Sequence, residues 1–241
     1  MRRFGVSVVL AWAVCLVAAG CVSSVAGTAV AGRSATRPST APRIGLPGLL
    51  LSLDEMRHIL KFSSMATEET WARPDERGVF QPVGCVGAVF SGMARTYDGS
   101  QYREFYEVRH VDVTSDGWQH WVDQGAVSFE SPDAALAFVS KEVARWRQCA
   151  GQKLRYAFPL PEDWQEPYLI GQTVDSGCVT MVSNVIAGDN RYDDIRVLAA
   201  KSNIVVDLQF TGFDLTDEPT TAVNEILDRI ASGGRDCAFW G

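Results

Sequence analysis

Residues 125–151 have the sequence GAVSFESPDAALAFVSKEVARWRQCAG, and their pattern changes from that of a strand to that of a helix at Ser131. Ser131 is a suitable N-cap, and Pro132 suits the first helical turn. Apolar residues then recur at helical spacing: Leu136, Val139, Val143 and Trp146. The segment therefore predicts a strand followed at once by an amphipathic helix that ends near Cys149.

Two further helices are marked by their ends. Ser52-Leu53-Asp54-Glu55 is a capping-box arrangement and predicts a helix of about ten residues. Asp217-Glu218-Pro219 opens another apolar periodic segment, which Gly233-Gly234 should end. Six β-rich stretches separated by turn signals lie between the helices: 85–90, 102–113, 118–129, 178–186, 194–200 and 204–210. This order predicts an α+β fold, an antiparallel β-sheet with flanking helices.

The pattern W-x-x-P-x-x-x-G-x-x-x-x-x-G-C-V occurs twice, at residues 71–86 and 164–179, without gaps. Its aromatic positions are Trp71 and Trp164. The predicted helix starts Pro132 and Pro219 are spaced in nearly the same way along the chain. We therefore expect two pseudo-repeated halves that pack side by side and form a cleft, where ligands commonly bind.

The amino terminus has the features of a bacterial lipoprotein signal. Two arginines precede an apolar run, Val6–Ala19, which is shorter than the roughly 20 residues of a membrane-spanning helix. The sequence LVAAGC at residues 16–21 resembles the lipobox, in which diacylglycerol is attached to the cysteine and the signal is cut before it. We expect a signal peptide over 1–20, lipidation of Cys21 and anchorage on the extracytoplasmic face of the cell membrane.

Residues 21–43 are small, polar and unpatterned, which is typical of a flexible tether. The folded domain is then expected over residues 44–241. Five arginines and no acidic residue precede residue 44, so residues 44–241 carry a formal charge of −12, against −7 for the whole chain. Such a domain repels phosphate backbones, and nucleic acid is therefore not an expected partner.

Cys85, Cys149, Cys178 and Cys237 remain for the folded domain. An even number in an oxidising compartment favours disulfides over metal ligation, and no pair has C-x-x-C spacing. If the halves are related by duplication, each closes its own loop, Cys85 with Cys149 and Cys178 with Cys237. The crossed arrangement, Cys85 with Cys178 and Cys149 with Cys237, also respects the repeat and ranks second.

Catalytic and cofactor motifs are absent from the sequence. It has no nucleophile elbow, no phosphate-binding loop and no dinucleotide fingerprint. The three histidines are His58, His110 and His120, and the last two fall in neighbouring predicted strands with Asp112 and Asp123 nearby. This spacing does not specify a metal site, so we expect no metal, no cofactor and no catalytic residue.

Aromatic residues are concentrated in two neighbouring predicted strands: Tyr102, Phe105 and Tyr106, and then Trp118 and Trp121. On an exposed face they would line a groove for a sugar, lipid or aromatic ligand. The favoured interpretation is that they are core residues, because strand aromatics usually pack inside.

The chain resembles the PknH-like extracellular domain family of mycobacteria. The resemblance is carried by Gly84-Cys85, by the segment 126–135, by Trp146-Arg147-Gln148-Cys149-Ala150-Gly151, by Gly177-Cys178 and by the last helix near Cys237. It implies an α+β domain with two disulfides and a cleft suggestive of ligand binding. Family members include sensor domains of serine/threonine kinases and stand-alone lipoproteins. This chain carries no kinase signature and resembles the latter.

The expected function is that of a lipid-anchored envelope domain that binds a small molecule or an envelope component in a cleft, sensor-like and without catalysis. Two alternatives come from other classes, an envelope hydrolase with an unrecognised site and a protein-interaction module. An apolar cleft favours ligand binding, convergent polar groups with perturbed acidity favour an enzyme, and a flat apolar patch favours a protein partner.

Overall fold

The computed structural model of the protein describes residues 45–114, 117–157, 167–186 and 189–231. The predicted signal peptide, the lipidation site Cys21, the tether and Cys237 lie outside these ranges, as do Trp164 and Gly233-Gly234. No described helix is both long and apolar enough to cross a membrane.

The described residues form one antiparallel β-sheet, as predicted. Its strands are β1 Met65–Trp71, β2 Phe80–Gln81, β3 Glu104–Thr114, β4 Gly117–Ser128, β5 Lys153–Tyr156, β6 Tyr168–Leu169, β7 Thr173–Ser176, β8 Val179–Ile186, β9 Asp189–Lys201 and β10 Ile204–Phe213. Their order is β1-β3-β4-β10-β9-β8-β6-β5-β2, and β7 also pairs with β8. The pair β4–β10 joins strands β1, β3 and β4 from the first half of the domain sequence to β8, β9 and β10 from the second half, and β1 forms one edge of the sheet.

Helices cover both faces of the sheet. They are α1 Leu46–Leu49, α2 Leu53–Leu60, a 3-10 helix Val83–Ala88, α3 Ala94–Tyr97, α4 Pro132–Cys149 and α5 Glu218–Arg229. The helices α1, α2 and α5 pack on one face of the sheet, and α3, α4 and the 3-10 helix pack on the other. Because strand residues alternate between faces, Val206, Leu208 and Phe210 of β10 enter the first core, whereas Val205 enters the second.

The caps confirm the predicted helix starts. Ser52 Oγ accepts a hydrogen bond from the Glu55 amide, and the Glu55 carboxylate accepts one from the Ser52 amide at 2.8 Å. Ser131 Oγ accepts from the Ala134 amide at 3.2 Å, and α4 ends at Cys149. The last helix, α5, ends at Arg229, before the glycines that were expected to end it.

The predicted strand over residues 85–90 is wrong, because Val83–Ala88 form a 3-10 helix. Its apolar residues are buried, but they lie over the sheet instead of within it, and two of its carbonyls are bonded by strand side chains. Arg196 Nε donates to the Gly87 carbonyl at 3.2 Å, and Asn184 Nδ2 donates to the Ala88 carbonyl at 2.9 Å. The apolar residues of this segment are buried, as their composition indicates, but they form a 3-10 helix and not a strand.

The two copies of the sequence repeat differ in local structure. Cys85 of the first copy lies in the 3-10 helix, whereas Cys178 of the second lies in the turn between β7 and β8. The helices that follow β4 and β10 also pack on opposite faces of the sheet. The predicted symmetry of two equivalent halves is therefore not seen in these elements.

A disulfide joins Cys85 to Cys149 across 64 residues and ties the 3-10 helix to the end of α4. The crossed alternative, in which Cys85 bonds Cys178, does not occur. Cys178 is itself disulfide-bonded. Its pairing with Cys237 stays a prediction, because Cys237 lies outside the described residues.

Candidate ligand-binding site

The centre of the sheet, on the face covered by α4, contains a fully buried arginine. The guanidinium of Arg196 on β9 donates to the Asp207 carboxylate and to the Leu208 carbonyl, and it reaches the Gly87 carbonyl above the sheet. It also lies 5.2 Å from the ring centroid of Trp146 on α4. Arg196 thus connects two strands with the segments that cover them.

Asp207 on β10 holds the loop that closes over this face. Its Oδ2 accepts hydrogen bonds from the Tyr97 hydroxyl at 2.6 Å and from the Gly92 amide at 3.2 Å. The Tyr97 ring stacks on Phe138 of α4, with centroids 5.1 Å apart. Burial, and then the nearby Asp207 carboxylate, raise the pKa of Tyr97 well above its ordinary value, so the hydroxyl remains a donor.

Asp194 on β9 shows how a buried carboxylate is satisfied by neutral groups. It accepts hydrogen bonds from Asn184 at 3.0 Å, from Gln209 at 2.9 Å and from Thr211 at 2.8 Å. Burial nevertheless raises its pKa. Asp194 lies two residues before Arg196 on β9, on the same face of the sheet. Together with Arg196 and Asp207 it forms a group of buried polar side chains under α4.

Glu107 on β3 is also buried, but its carboxylate accepts fewer hydrogen bonds than that of Asp194. Its exposed fraction is 4 %, and its carboxylate accepts one hydrogen bond, from Ser91 Oγ at 2.7 Å. Within the described ranges it has no ion pair with a basic side chain. Burial raises the pKa of Glu107 well above its ordinary value, and the Asp123 and Asp207 carboxylates raise it further.

Arg109, also on β3, forms an ion pair with Asp123 and not with Glu107. Its Nε and Nη2 donate to the two oxygens of Asp123 at 2.7 and 3.0 Å. The guanidinium lies between two indole rings, 4.8 Å from the Trp71 centroid and 3.9 Å from the Trp121 centroid. Bidentate pairing and stacking fix its orientation, so Arg109 forms a wall of the site.

Above these residues lies a small cavity, here called the inner cavity, of about 40 Å³. Its walls combine apolar side chains with polar ones; the apolar ones are Trp71, Phe90 and Met93, and the polar ones include Ser91, Glu107, Arg109, Asp123 and Gln209. A second space, the outer groove, has a volume of about 530 Å³ and is formed by the segment 75–98. Asp75 and Met93 line both spaces, which therefore adjoin each other.

The outer groove combines apolar and acidic walls. Its apolar lining consists of Val79, Phe80, Val83, Val86 and Met93, of which Val79 and Val83 are more than half exposed. Its acidic lining consists of Asp75, Glu76 and Asp98. A groove of this size with both kinds of wall suits a small amphiphilic molecule.

The aromatic residues singled out in the sequence do not all line one groove. Trp121 stacks on Arg109, which lines the inner cavity. Phe105 is a core residue and lies edge-on to Tyr97. Tyr106 packs against the opposite core. Tyr102, Phe105 and Tyr106 line a separate space of about 410 Å³ near Gly45–Pro47. The Trp118 side chain lies outside the described part of the structure.

The histidines lie away from this site. His58 is exposed on α2, and His110 and His120 are buried on the opposite face of the sheet. His120 Nδ1 lies 3.6 Å from Asp112 Oδ2, and burial lowers the pKa of His110 to about 4. In the described ranges, no group of three His, Cys, Asp or Glu side chains could hold a metal ion.

Sequence reasoning missed Glu107, Arg196 and Asp207. Each alternates with apolar residues along its strand, and this pattern is typical of a solvated face. The available signal was that β9 and β10 carry several polar residues on the same face: Asp194, Arg196, Asp207, Gln209 and Thr211. Only the segments that cover this face show that the residues are buried.

Comparison with known proteins relates this fold to extracellular parts of mycobacterial kinases. The family model described as "PknH-like extracellular domain" matches residues 41–232. Serine/threonine-protein kinase PknH of Mycobacterium tuberculosis is 24 % identical over 186 residues, which are 77 % of this chain and 29 % of the kinase. Serine/threonine-protein kinase PknJ of the same species is 26 % identical over 175 residues, 71 % of this chain and 29 % of that protein.

The crystal structure of the extracellular domain of PknH from Mycobacterium tuberculosis has the same fold. It aligns with a TM-score of 0.69 and 23 % identity, over 76 % of this chain and 93 % of that domain. Fold and family match together define the class as an extracellular α+β domain, and its location as extracytoplasmic. The chain belongs to the PknH-like extracellular domain family. It spans less than a third of the length of the kinases it matches.

Proposed function

We propose that this protein is a lipid-anchored domain of the cell envelope that binds a small molecule or an envelope component and does not transform it. The observation that carries the proposal is the outer groove together with the inner cavity. A groove of about 530 Å³ with apolar walls, adjoining a few convergent polar groups, is what small-molecule sites require.

The anchor is supported by the sequence around Cys21, where an apolar signal segment ends in LVAAGC. Membership of an extracellular family fits this location. Binding without turnover fits the comparison as well, because the matched part of the relatives is their extracellular domain.

The hydrolase alternative has weaker support. His120, whose Nδ1 lies 3.6 Å from Asp112 Oδ2, borders a cavity of about 610 Å³ on the opposite face of the sheet. Among the described residues that line this cavity there is no serine, threonine or cysteine to act as a nucleophile. The outer groove likewise has no such side chain among its described lining residues. The inner cavity has the Ser91 hydroxyl, which donates to Glu107 and has no histidine beside it among the described lining residues.

The test is to identify compounds retained by the native full-length protein by mass spectrometry, and then to measure their effect on thermal stability. Binding to the folded state alone raises the melting temperature. Val83→Trp, which fills the groove, should abolish the shift. The control Val174→Trp changes a similarly exposed valine on β7 and should retain it. Equal shifts in both variants, or hydrolysis of a retained compound, would contradict the proposal.

A further inference from the structure

The inner cavity is large enough for a head group but not for a whole drug-sized ligand. Its volume of about 40 Å³ accommodates one or two waters, or a head group of similar size such as a primary ammonium. The inner cavity would therefore hold the head group of a ligand, and the outer groove would hold the rest of the molecule.

The charges around the inner cavity leave one carboxylate without a counter-charge. Asp123 is neutralised by Arg109 in bidentate contact, and Asp75 is paired with Arg77 at 3.0 Å. Glu107 has the Ser91 hydroxyl as its one hydrogen-bond donor and no basic partner within the described ranges. A buried carboxylate in this state is stabilised either by a proton or by a cation from outside.

We infer that the site binds a primary amine with an apolar body, and that its ammonium group lies in the inner cavity against Glu107. This inference rests on the proposed function of the outer groove and adds the chemical class of its ligand. The apolar body would contact Phe80, Val83 and Val86, and an ammonium can donate up to three hydrogen bonds to Glu107 and its polar neighbours.

The acidic rim favours the same ligand class. Asp75, Glu76 and Asp98 face the outer groove, and its one lysine or arginine among the described lining residues, Arg95, is already paired with Asp98 at 3.3 Å. Because Asp75 is also paired, with Arg77, the lining carboxylates without an ion pair among the described residues are Glu76 at the mouth and Glu107 in the inner cavity. These two attract cations and repel carboxylate or phosphate ligands.

Ligand and proton compete for Glu107. The charged groups that face it are Arg109 on β3, Asp123 on β4, Asp207 on β10, Arg196 on β9 and Asp75 in the loop after β1. The carboxylates among them favour the protonated form of Glu107, so amine binding should release a proton. Affinity should therefore rise with pH over a range in which an alkylamine, with a pKa near 10, keeps its own charge.

The experiment compares hexylamine, 1-hexanol and hexanoate by titration calorimetry against the full-length protein. Hexylamine should bind at least tenfold more tightly than hexanol, and hexanoate should not bind. Its affinity should rise at least fivefold from pH 5 to pH 8, whereas that of hexanol stays constant. Glu107→Gln should lower hexylamine affinity at least tenfold, while the control Glu225→Gln, an exposed change on α5 outside the groove, changes it by less than threefold.

The outcomes distinguish this inference from the proposed function. Equal affinity for hexylamine and hexanol would overturn the inference that the site selects a primary amine. The outer groove would then remain a candidate site for apolar ligands. Absence of hexylamine binding at 10 mM (about ten times a millimolar Kd) would also overturn it, while the Val83→Trp comparison separately decides whether the groove binds ligands at all. If Glu107→Gln does not fold, the pH dependence measured on the unaltered protein decides.

Discussion

A methyl group on Gly92 would lie 1.8 Å from Oε2 of Glu107, so these two residues are packed against each other at the inner cavity. Gly92 also has a φ of +59°, and its amide is bonded to Asp207. The covering loop thus approaches the sheet as closely as it does because residue 92 has no side chain.

Gly92→Ala should therefore destabilise the domain by about 3 kcal/mol, because it adds left-handed backbone strain and displaces a buried carboxylate. Gly99→Ala is the matched control, since Gly99 has a φ of +73° and a Cβ added there would meet no atom within 4 Å. It should cost only the strain, about 1 kcal/mol. Urea unfolding of both variants measures the difference, and equal losses would show that contact with Glu107 is unimportant.

The buried pair Arg196–Asp207 should show strong energetic coupling. Asp207→Asn leaves a buried guanidinium without its counter-charge and should cost about 3–5 kcal/mol. In a double-mutant cycle with Arg196→Met, the coupling energy should be about 2 kcal/mol. The exposed pair Arg95–Asp98 serves as control and should couple by less than about 1 kcal/mol. Similar coupling in the two cycles would be evidence against a strong buried interaction.

Glu142 on α4 should make the domain less stable as pH rises. Burial raises its pKa to about 7, although Arg145 at 2.7 Å acts against the shift. The folded state then holds a proton more tightly than the unfolded state, so the stabilisation present below pH 4.5 is lost as pH rises towards 7. The loss is up to about 3 kcal/mol.

Glu142→Gln should remove this slope. Chemical denaturation between pH 4.5 and pH 8 gives the difference between wild type and variant at each pH. Glu225→Gln, an exposed change on α5, should leave the profile as in the wild type. A profile for Glu142→Gln that parallels the wild type would mean that the carboxyl of residue 142 does not titrate as expected.

Cys21→Ser should prevent lipid attachment and move the protein out of the membrane fraction. Cys15→Ser is a stringent control, because Cys15 lies inside the predicted signal peptide and should be dispensable for anchorage. Fractionation with metabolic labelling by a fatty acid measures both variants. Continued labelling of the Cys21→Ser protein would disprove lipidation at this residue.

Local sequence signals predicted α2 and α4 well, because caps and helical periodicity act within a few residues of each other. The strands β3, β4, β8, β9 and β10 followed from apolar runs and turns. Strand β1 was missed because its sequence, MATEETW, is almost entirely exposed. The order of strands depends on the pairing of β4 with β10, which are distant in sequence and have no local signal.

The site was less predictable than the fold. Periodicity tells which residues share a face, but it does not tell whether a loop covers that face. Glu107 and Arg196 therefore had the pattern of surface residues, although the segment 83–97 covers them in the folded chain. The apparent repeat, by contrast, gave a symmetry that the elements around Cys85 and Cys178 do not have.

The edge strand β1 is a place where a strand from a second molecule could add to the sheet. No strand of the described residues pairs with its outer side. Glu68 and Glu69 are exposed at its middle, and its register with β3 shifts between Thr67 and Glu69. Charge and irregular register disfavour docking of another strand. This edge of the sheet is thereby protected against the addition of a strand from a neighbouring molecule.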